Sequence, residues 1–333
     1  MSRPRTYVIA EMACSHEGDP ALARTIIDAA GAGGADAVQF QIWKLSDLDV
    51  PQHPDYAVRS GLELPREEWA GLVAYVRENH PSLHIVACVY ERGSVDFAQS
   101  LGVDAFKLHA ADLSNPHLVK YLARTGKRID LSVGASTLDE IQNALEWIRD
   151  ASDAPIWLMY GMQNFPTCIE DIHLAYMMKL RELFELPVGY QDHSDGDSDA
   201  AFWLPAAALG MGVDILEKHI THDRSLRGID YEAALNPDEF ARFVTMVRQI
   251  EAATGVAVPR PFSAAERKYR VYAKKSVVAG RDLAAGAVLD ESDLLFMRGD
   301  GVGLPPDQAG RLLGRATRRA VPKYALVREG DVT

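Results

Sequence analysis

Glu217 and His219 stand two residues apart in the run DILEKH. On a strand that spacing puts both side chains on one face. A second histidine, His193, closes the run YQDH. Two imidazoles with carboxylates nearby (Glu11, Glu217 and Asp230) suit a divalent ion such as Mn²⁺, Zn²⁺ or Fe²⁺. The competing reading is of histidines hydrogen-bonded in a core or loop. Lys107 lies at the end of an apolar strand, in AFKLHA, where burying an unpaired ammonium is costly. Three readings follow for it: a ligand of phosphate or carboxylate, a Schiff-base nucleophile, or a lysine whose stem is covered while its head reaches solvent.

These residues need elements to hold them, and the hydrophobic pattern supplies eight strand–helix pairs before Gly255. The predicted strands are Tyr7–Met12, Ala37–Ile42, His84–Val89, Ala105–Leu108, Ile129–Val133, Ile156–Tyr160, Val188–Tyr190 and Val213–Glu217. The helices between and after them are Ala21–Ala32, Arg66–Glu78, Ser94–Ser100, Pro116–Arg124, Leu138–Arg149, Ile169–Phe184, Asp199–Leu209 and Pro237–Ala252. Continuous apolar strands indicate a parallel sheet covered on both faces. Eight units in about 250 residues favour a closed (β/α)8 barrel over an open doubly wound sheet. No G-x-G-x-x-G follows the first strand, which counts against a dinucleotide site.

In such a barrel, chemistry sits where strands end at the C-terminal mouth. That rule selects Glu11, Gln39, Gln41, Lys107, His109, Ser132, Gln163, Asn164, Gln191, Asp192, His193, Glu217 and His219. The domains expected are a barrel over 1–255, a linker over 256–269 and a small β-rich domain over 270–333, where short β-rich runs alternate with glycine turns.

Bulk properties narrow the function. The 333 residues carry a net charge of -12, which excludes a phosphate-backbone partner. The three cysteines, Cys14, Cys88 and Cys168, are too few and scattered for a disulfide framework and fit a reducing compartment. The opening apolar run is too short for a signal segment and no later run reaches membrane length, so the expectation is a soluble cytoplasmic protein.

Several blocks, taken in order, resemble the sialic acid synthase family: IAEMACSHEGD, GADAVQFQIWKLSDL, LSVGASTLDEI, NFPTCIEDIHL, GYQDHS, LEKHITHDRSLRGIDYEAALNPDEF and AERKYRVYAKKSVVAGRDLAAGAVL. The resemblance spans essentially the whole chain. It implies a (β/α)8 barrel followed by an antifreeze-like (SAF) domain. The implied reaction joins phosphoenolpyruvate to the aldehyde of an open-chain amino sugar, giving a 2-keto-3-deoxy sugar acid and phosphate. It further implies Mn²⁺ or Mg²⁺ held by His193 and His219, with Glu11, Glu217 and Asp230 handling water and protons. A homodimer with swapped SAF domains is implied too, in which Arg298 reaches the sugar bound by the partner.

The family pattern changes at the donor end. The family's K-F-Q is Gln39-Phe40-Gln41, and the serine of K-I-G-S-G-E is Ala110. The threonine of T-P-F-S falls within Cys88-Val89-Tyr90, N-x-Y-P becomes Gln163-Asn164-Phe165-Pro166, and the serine of L-S-D-H is Gln191. Lys107 and Ser132 remain. Each charge-assisted hydrogen bond to an anion contributes about 1.5–3 kcal/mol, so the losses weigh on donor affinity. His109 is the candidate replacement cation. Two functions are therefore expected: a phosphoenolpyruvate-dependent synthase with a modified pocket, or a metal-dependent aldolase or lyase acting on another sugar- or nucleoside-like compound without that donor.

Overall fold

The computed structural model describes residues 5–333. The chain divides into two compact units, the first ending at Val256 and the second beginning at Ala257.

In the first unit, eight parallel strands close in sequence order: β1 (Tyr7–Ala13), β2 (Ala37–Ile42), β3 (His84–Val89), β4 (Ala105–Leu108), β5 (Arg128–Ser132), β6 (Ile156–Tyr160), β7 (Val188–Asp192) and β8 (Ile215–His219), with β8 pairing back onto β1. Strand alternation sorts the side chains into two sets. Val8, Ala10, Val38, Phe40, Ile85, Ala87, Phe106, Leu131, Leu158, Tyr190 and Leu216 face outward and join the helices in one large core. Ile9, Ala37, Val86, Ala105, Met159 and Ile215 form a separate inner cluster that plugs the barrel. Higher up the same inward face, the next residues are polar: Glu11, Gln39, Lys107, Gln191 and Glu217, all buried.

Both site-bearing strands β7 and β8 run to polar ends that the apolar pattern does not predict. Gln191 pairs in register with Glu217 and Asp192 with Lys218. On the opposite side of these strands from Gln191 and Glu217, Lys218 Nζ donates to Asp192 Oδ2 at 2.7 Å, a fully buried ion pair. Tyr190 and Ser194 hydroxyls also donate to the Asp192 carboxylate. That network holds Asp192 on the outer side and leaves the inward direction to Gln191 and His193.

Caps fix where the loops enter the helices. Asp19 accepts from Ala21 N–H at the start of helix Pro20–Ala32. Capping boxes open Leu138–Ala151 (Thr137 with Glu140) and Pro237–Thr254 (Asn236 with Glu239). The expected helix Ile169–Phe184 is broken: a short 3-10 turn covers Ile169–Asp171, and His173, at φ 47°, precedes the helix Leu174–Phe184. Between β2 and β3, two short helices, Leu45–Leu48 and Tyr56–Ser60, build a wall at the mouth. Their four and five residues are too short to leave a period in the sequence.

The second unit begins with a segment that includes the helix Ala264–Tyr272, opened by a Ser263–Glu266 capping box inside the expected linker. Its sheet pairs β9 (Ser276–Ala279) antiparallel with β10 (Leu294–Met297). Val277, Ala279, Leu283, Leu289, Leu312, Val321, Val327 and Val332 make a small core of its own. Among the described residues, no helix is long and apolar enough to cross a membrane.

Candidate active site

A cavity of about 900 Å³ opens at the C-terminal ends of the strands. Its lining includes Glu11, Gln41, Lys107, His109, Ser132, Gln163, Gln191, His193, Glu217, His219 and Asp230, so most of the residues picked by the strand-end rule meet in one place. Gln39 is fully buried and does not line it. Arg298 is exposed and belongs to the second unit, just past β10.

The floor is built around an ion pair. Lys107 Nζ donates to Glu217 Oε1 at 2.5 Å, with both side chains almost wholly buried. Burial alone would lower the lysine's pKa, but the carboxylates of Glu217 and Glu11 outweigh it and raise it, so the ammonium is charged. One of its three donors goes to Glu217, leaving the others for an anion. Beside it, Ser132 Oγ accepts from Gln191 Nε2 at 3.1 Å, which leaves the serine's own hydroxyl hydrogen free to donate.

Glu11 is held from one side. Its Oε1 accepts from the Ala13 N–H at 2.7 Å and from Gln41 Nε2 at 3.2 Å, and Gln41 Oε1 accepts from the Tyr90 hydroxyl at 3.2 Å. Its Oε2 has no partner. Burial pushes this carboxyl up to about 8, opposed by Lys107 and reinforced by Glu217. A carboxyl protonated near neutral pH, with one oxygen taken by donors, presents its proton on the other. Asp230, in the loop after β8, is pushed by burial to about 6 and is mostly ionised at neutral pH. Two carboxyls of one cavity thus differ in protonation, the arrangement acid–base chemistry needs.

The two histidines stand with ring centroids 5.0 Å apart. His193 Nδ1 meets the Met162 carbonyl at 2.5 Å, so that nitrogen carries the hydrogen and Nε2 keeps its lone pair. His219 Nδ1 is buried with no partner. Burial pulls His193 down to about 4 and His219 well below the usual imidazole range. Neutral imidazoles with unengaged nitrogens are the form that ligates a metal. Among the described residues no cluster of three or more His, Cys, Asp or Glu is arranged around a common point for a metal. His193 and His219 are the residues that would hold a divalent ion here, through their unengaged ring nitrogens. Phe165 covers this pair, its ring 4.5 Å from His193 and 5.7 Å from His219.

His109 is not the replacement cation expected of it. Its Nδ1 accepts the Ala111 N–H at 3.2 Å, and burial, with the charges of Lys107 and Arg59, pulls the ring down to about 4. It is a neutral group tilted against Tyr90, with ring centroids 5.4 Å apart.

Buried polar atoms are normally paired. Here four of the eight buried side-chain nitrogens and oxygens without a partner, among the described residues, belong to the cavity-lining Glu11, Gln191, Glu217 and His219. That concentration marks the place as one that a ligand completes.

The wall contributed by residues 43–62 was not read from the sequence. It brings Trp43, Asp47, Asp49, Asp55 and Arg59 to the cavity. The i,i+4 spacing of Asp55 and Arg59 was the available signal. With Asp112, Glu11, Glu217 and Asp230, the lining holds seven carboxyl groups and two permanent cations, Lys107 and Arg59.

Residues 26–259 match the NeuB family, and residues 274–333 match the SAF domain. The chain belongs to the NeuB family. It is 30% identical over 327 residues to the N,N'-diacetyllegionaminic acid synthase of Legionella pneumophila, covering 92% of this chain and 89% of that one. It is 26% identical over 340 residues to the N-acetylneuraminate-9-phosphate synthase of Mus musculus, covering 98% and 92%. The structure of N-acetylneuraminic acid synthetase from Leptospira borgpetersenii, in complex with citrate, superposes with a TM-score of 0.71 at 28% identity, covering 80% of this chain and 91% of that one. The chain is thus an enzyme of a synthase family, with the barrel and SAF architecture of its relatives.

Removing one member of the floor's ion pair leaves the other charge buried. Lys107→Met alone should cost about 3–5 kcal/mol in stability, whereas Lys107→Met/Glu217→Gln should recover most of that loss. Chemical denaturation of the three proteins measures it, and equal stability of the single and double variants would contradict the pairing.

Proposed function

We propose that this enzyme condenses phosphoenolpyruvate with the aldehyde of an open-chain sugar, releasing phosphate and a 2-keto-3-deoxy sugar acid. The observation carrying this reading is the convergence, in one cavity, of a charged lysine and a serine with unused donors and two neutral imidazoles with unused nitrogens. The names of the relatives support it, since they are synthases of such sugar acids.

Lys107 and Ser132 hold the donor's anionic groups. His193 and His219 are the residues that fit a divalent ion, Mn²⁺ or Mg²⁺ in the family, with Zn²⁺ or Fe²⁺ compatible with two imidazoles. Such an ion supplies Lewis-acid polarisation of the aldehyde oxygen. The donor's methylene carbon forms the new bond to the aldehyde carbon. Glu11, protonated on Oε2, gives its proton to the oxygen that becomes a hydroxyl. Water adds to the former enol carbon, losing one proton to Asp230 or to the unengaged Oε2 of Glu217; the hydroxyl so formed then gives its remaining proton to the departing phosphate, which leaves with the bridging oxygen as the keto group forms. Gln41 and Tyr90 keep Glu11 turned toward the cavity, while Gln163, His109 and Gln191 offer neutral donors around the substrates.

A second reading keeps the acid–base and histidine groups but changes the donor. It is favoured by the neutral Gln39 where the family has lysine. Phosphate release separates the two. With phosphoenolpyruvate, Mn²⁺ and a panel of aldoses that includes N-acetylmannosamine, at least one pairing should release phosphate. Chelation should stop it, and His193→Ala should lose stoichiometric metal. No release from any pairing, with metal bound, would sink the synthase reading.

The reading also includes a homodimer in which Arg298 of the partner subunit reaches the sugar. Sedimentation should then give twice the chain mass, and Arg298→Ala should raise KM for the sugar while leaving that for phosphoenolpyruvate nearly unchanged. A monomer in solution would overturn it.

A further inference from the structure

Gln191 stands where the family has a serine, and only half of its amide is engaged. Its Nε2 donates to Ser132 Oγ, at the end of β5, at 3.1 Å. The amide is planar, so that bond turns Oε1 away from Ser132. Oε1 is buried with no partner, on a residue only 1% exposed.

A second acceptor in the same condition stands beside it. Gln191 on β7 and Glu217 on β8 are direct partners across parallel strands, and both line the cavity. Neighbouring strands lie about 4.8 Å apart, so the two side chains leave the barrel wall side by side. Glu217 Oε1 accepts from Lys107 Nζ at 2.5 Å, while its Oε2 is buried with no partner. Two adjacent acceptors cannot serve each other. Nor can an ionised phosphate or carboxylate complete them, since it has no hydrogen to give. One atom carrying two hydrogens satisfies both, and buried polar sites of this kind hold water. The reaction read from the cavity consumes a water at the former enol carbon. Lys107, bonded to the other oxygen of the same carboxylate, brings the donor to this point.

We propose that Gln191 is a positioning residue for the attacking water, its amide oxygen taking one hydrogen while Glu217 Oε2 takes the other. The proposal rests on the synthase reading and deepens it by choosing Glu217 over Asp230 as the base. Once the methylene carbon has bonded to the aldehyde, the former enol carbon is electron-poor. A lone pair of the water forms the new C–O bond. The O–H bond facing Glu217 breaks with its electrons left on oxygen, and Oε2 takes the proton. Gln191 keeps its hydrogen bond to the hydroxyl so formed until that hydrogen leaves with the phosphate. An amide oxygen accepts without taking a proton, so Gln191 fixes direction and Glu217 does the base chemistry.

A crystal structure of the full-length wild type tests the site, and kinetics test its role. The structure should show an ordered water within hydrogen-bond distance of both Gln191 Oε1 and Glu217 Oε2. Gln191→Met, similar in length but without the acceptor, should lower kcat at least ~10-fold and move KM for phosphoenolpyruvate less than ~3-fold. Absence of that water overturns the proposal and leaves the synthase reading standing. A raised KM for phosphoenolpyruvate with kcat unchanged overturns it too, because Gln191 would then bind the donor instead. A wild type that holds the water but releases no phosphate with any aldose sinks the synthase reading, and with it the water's role as nucleophile.

Discussion

A lysine and a glutamate 2.5 Å apart, each almost wholly withdrawn from water, sit inside the barrel on β4 and β8. Neither charge is tolerable there alone. Together they set the electrostatics of everything around them. Their charges act on Glu11 in opposite senses, burial wins, and the carboxyl keeps its proton near neutral pH. The lysine's charge adds to the burial that keeps His109, His193 and His219 neutral. The protonation of Glu11 and of the three histidines thus follows from burial, which this pair opposes or reinforces.

The barrel makes that placement possible. Its inward face is apolar at one end, where Ile9, Val86, Met159 and Ile215 plug the interior, and polar above it. Its outward face is largely apolar and carries the stability through the helices. Stability and chemistry are therefore written on alternate residues of the same strands. Lys218 and Asp192 show how strictly the alternation holds: both are charged and buried, yet they satisfy each other on the opposite side from Gln191 and Glu217.

Much of this was legible in the sequence. The eight strands, their order and the strand-end residues followed from apolar runs, because a strand covered on both faces cannot hide its composition. The apolar runs stopped short of the ends of β7 and β8, because Gln191-Asp192 and Lys218 are polar and paired by barrel register, although the strand-end rule still selected Gln191, Asp192 and His219. The wall of residues 43–62 escaped because its short helices show no period. His109 was misread because charge at a histidine is decided by burial and by its Ala111 contact, which type and position do not reveal. Gln39 shows a change at a family position whose result is structural as well as chemical: its amide is fully buried with both polar atoms unpartnered, off the cavity wall.

The central claim is that Lys107 is the cation that holds the donor, even though Glu217 accompanies it and Gln39 replaces the family's second lysine. Calorimetric binding of phosphoenolpyruvate, with no sugar present, tests it in the wild type and in the charge-matched Lys107→Met/Glu217→Gln variant. The account predicts saturable binding to the wild type and a loss of at least ~10-fold in the folded double variant. Binding within about threefold of the wild type would contradict it.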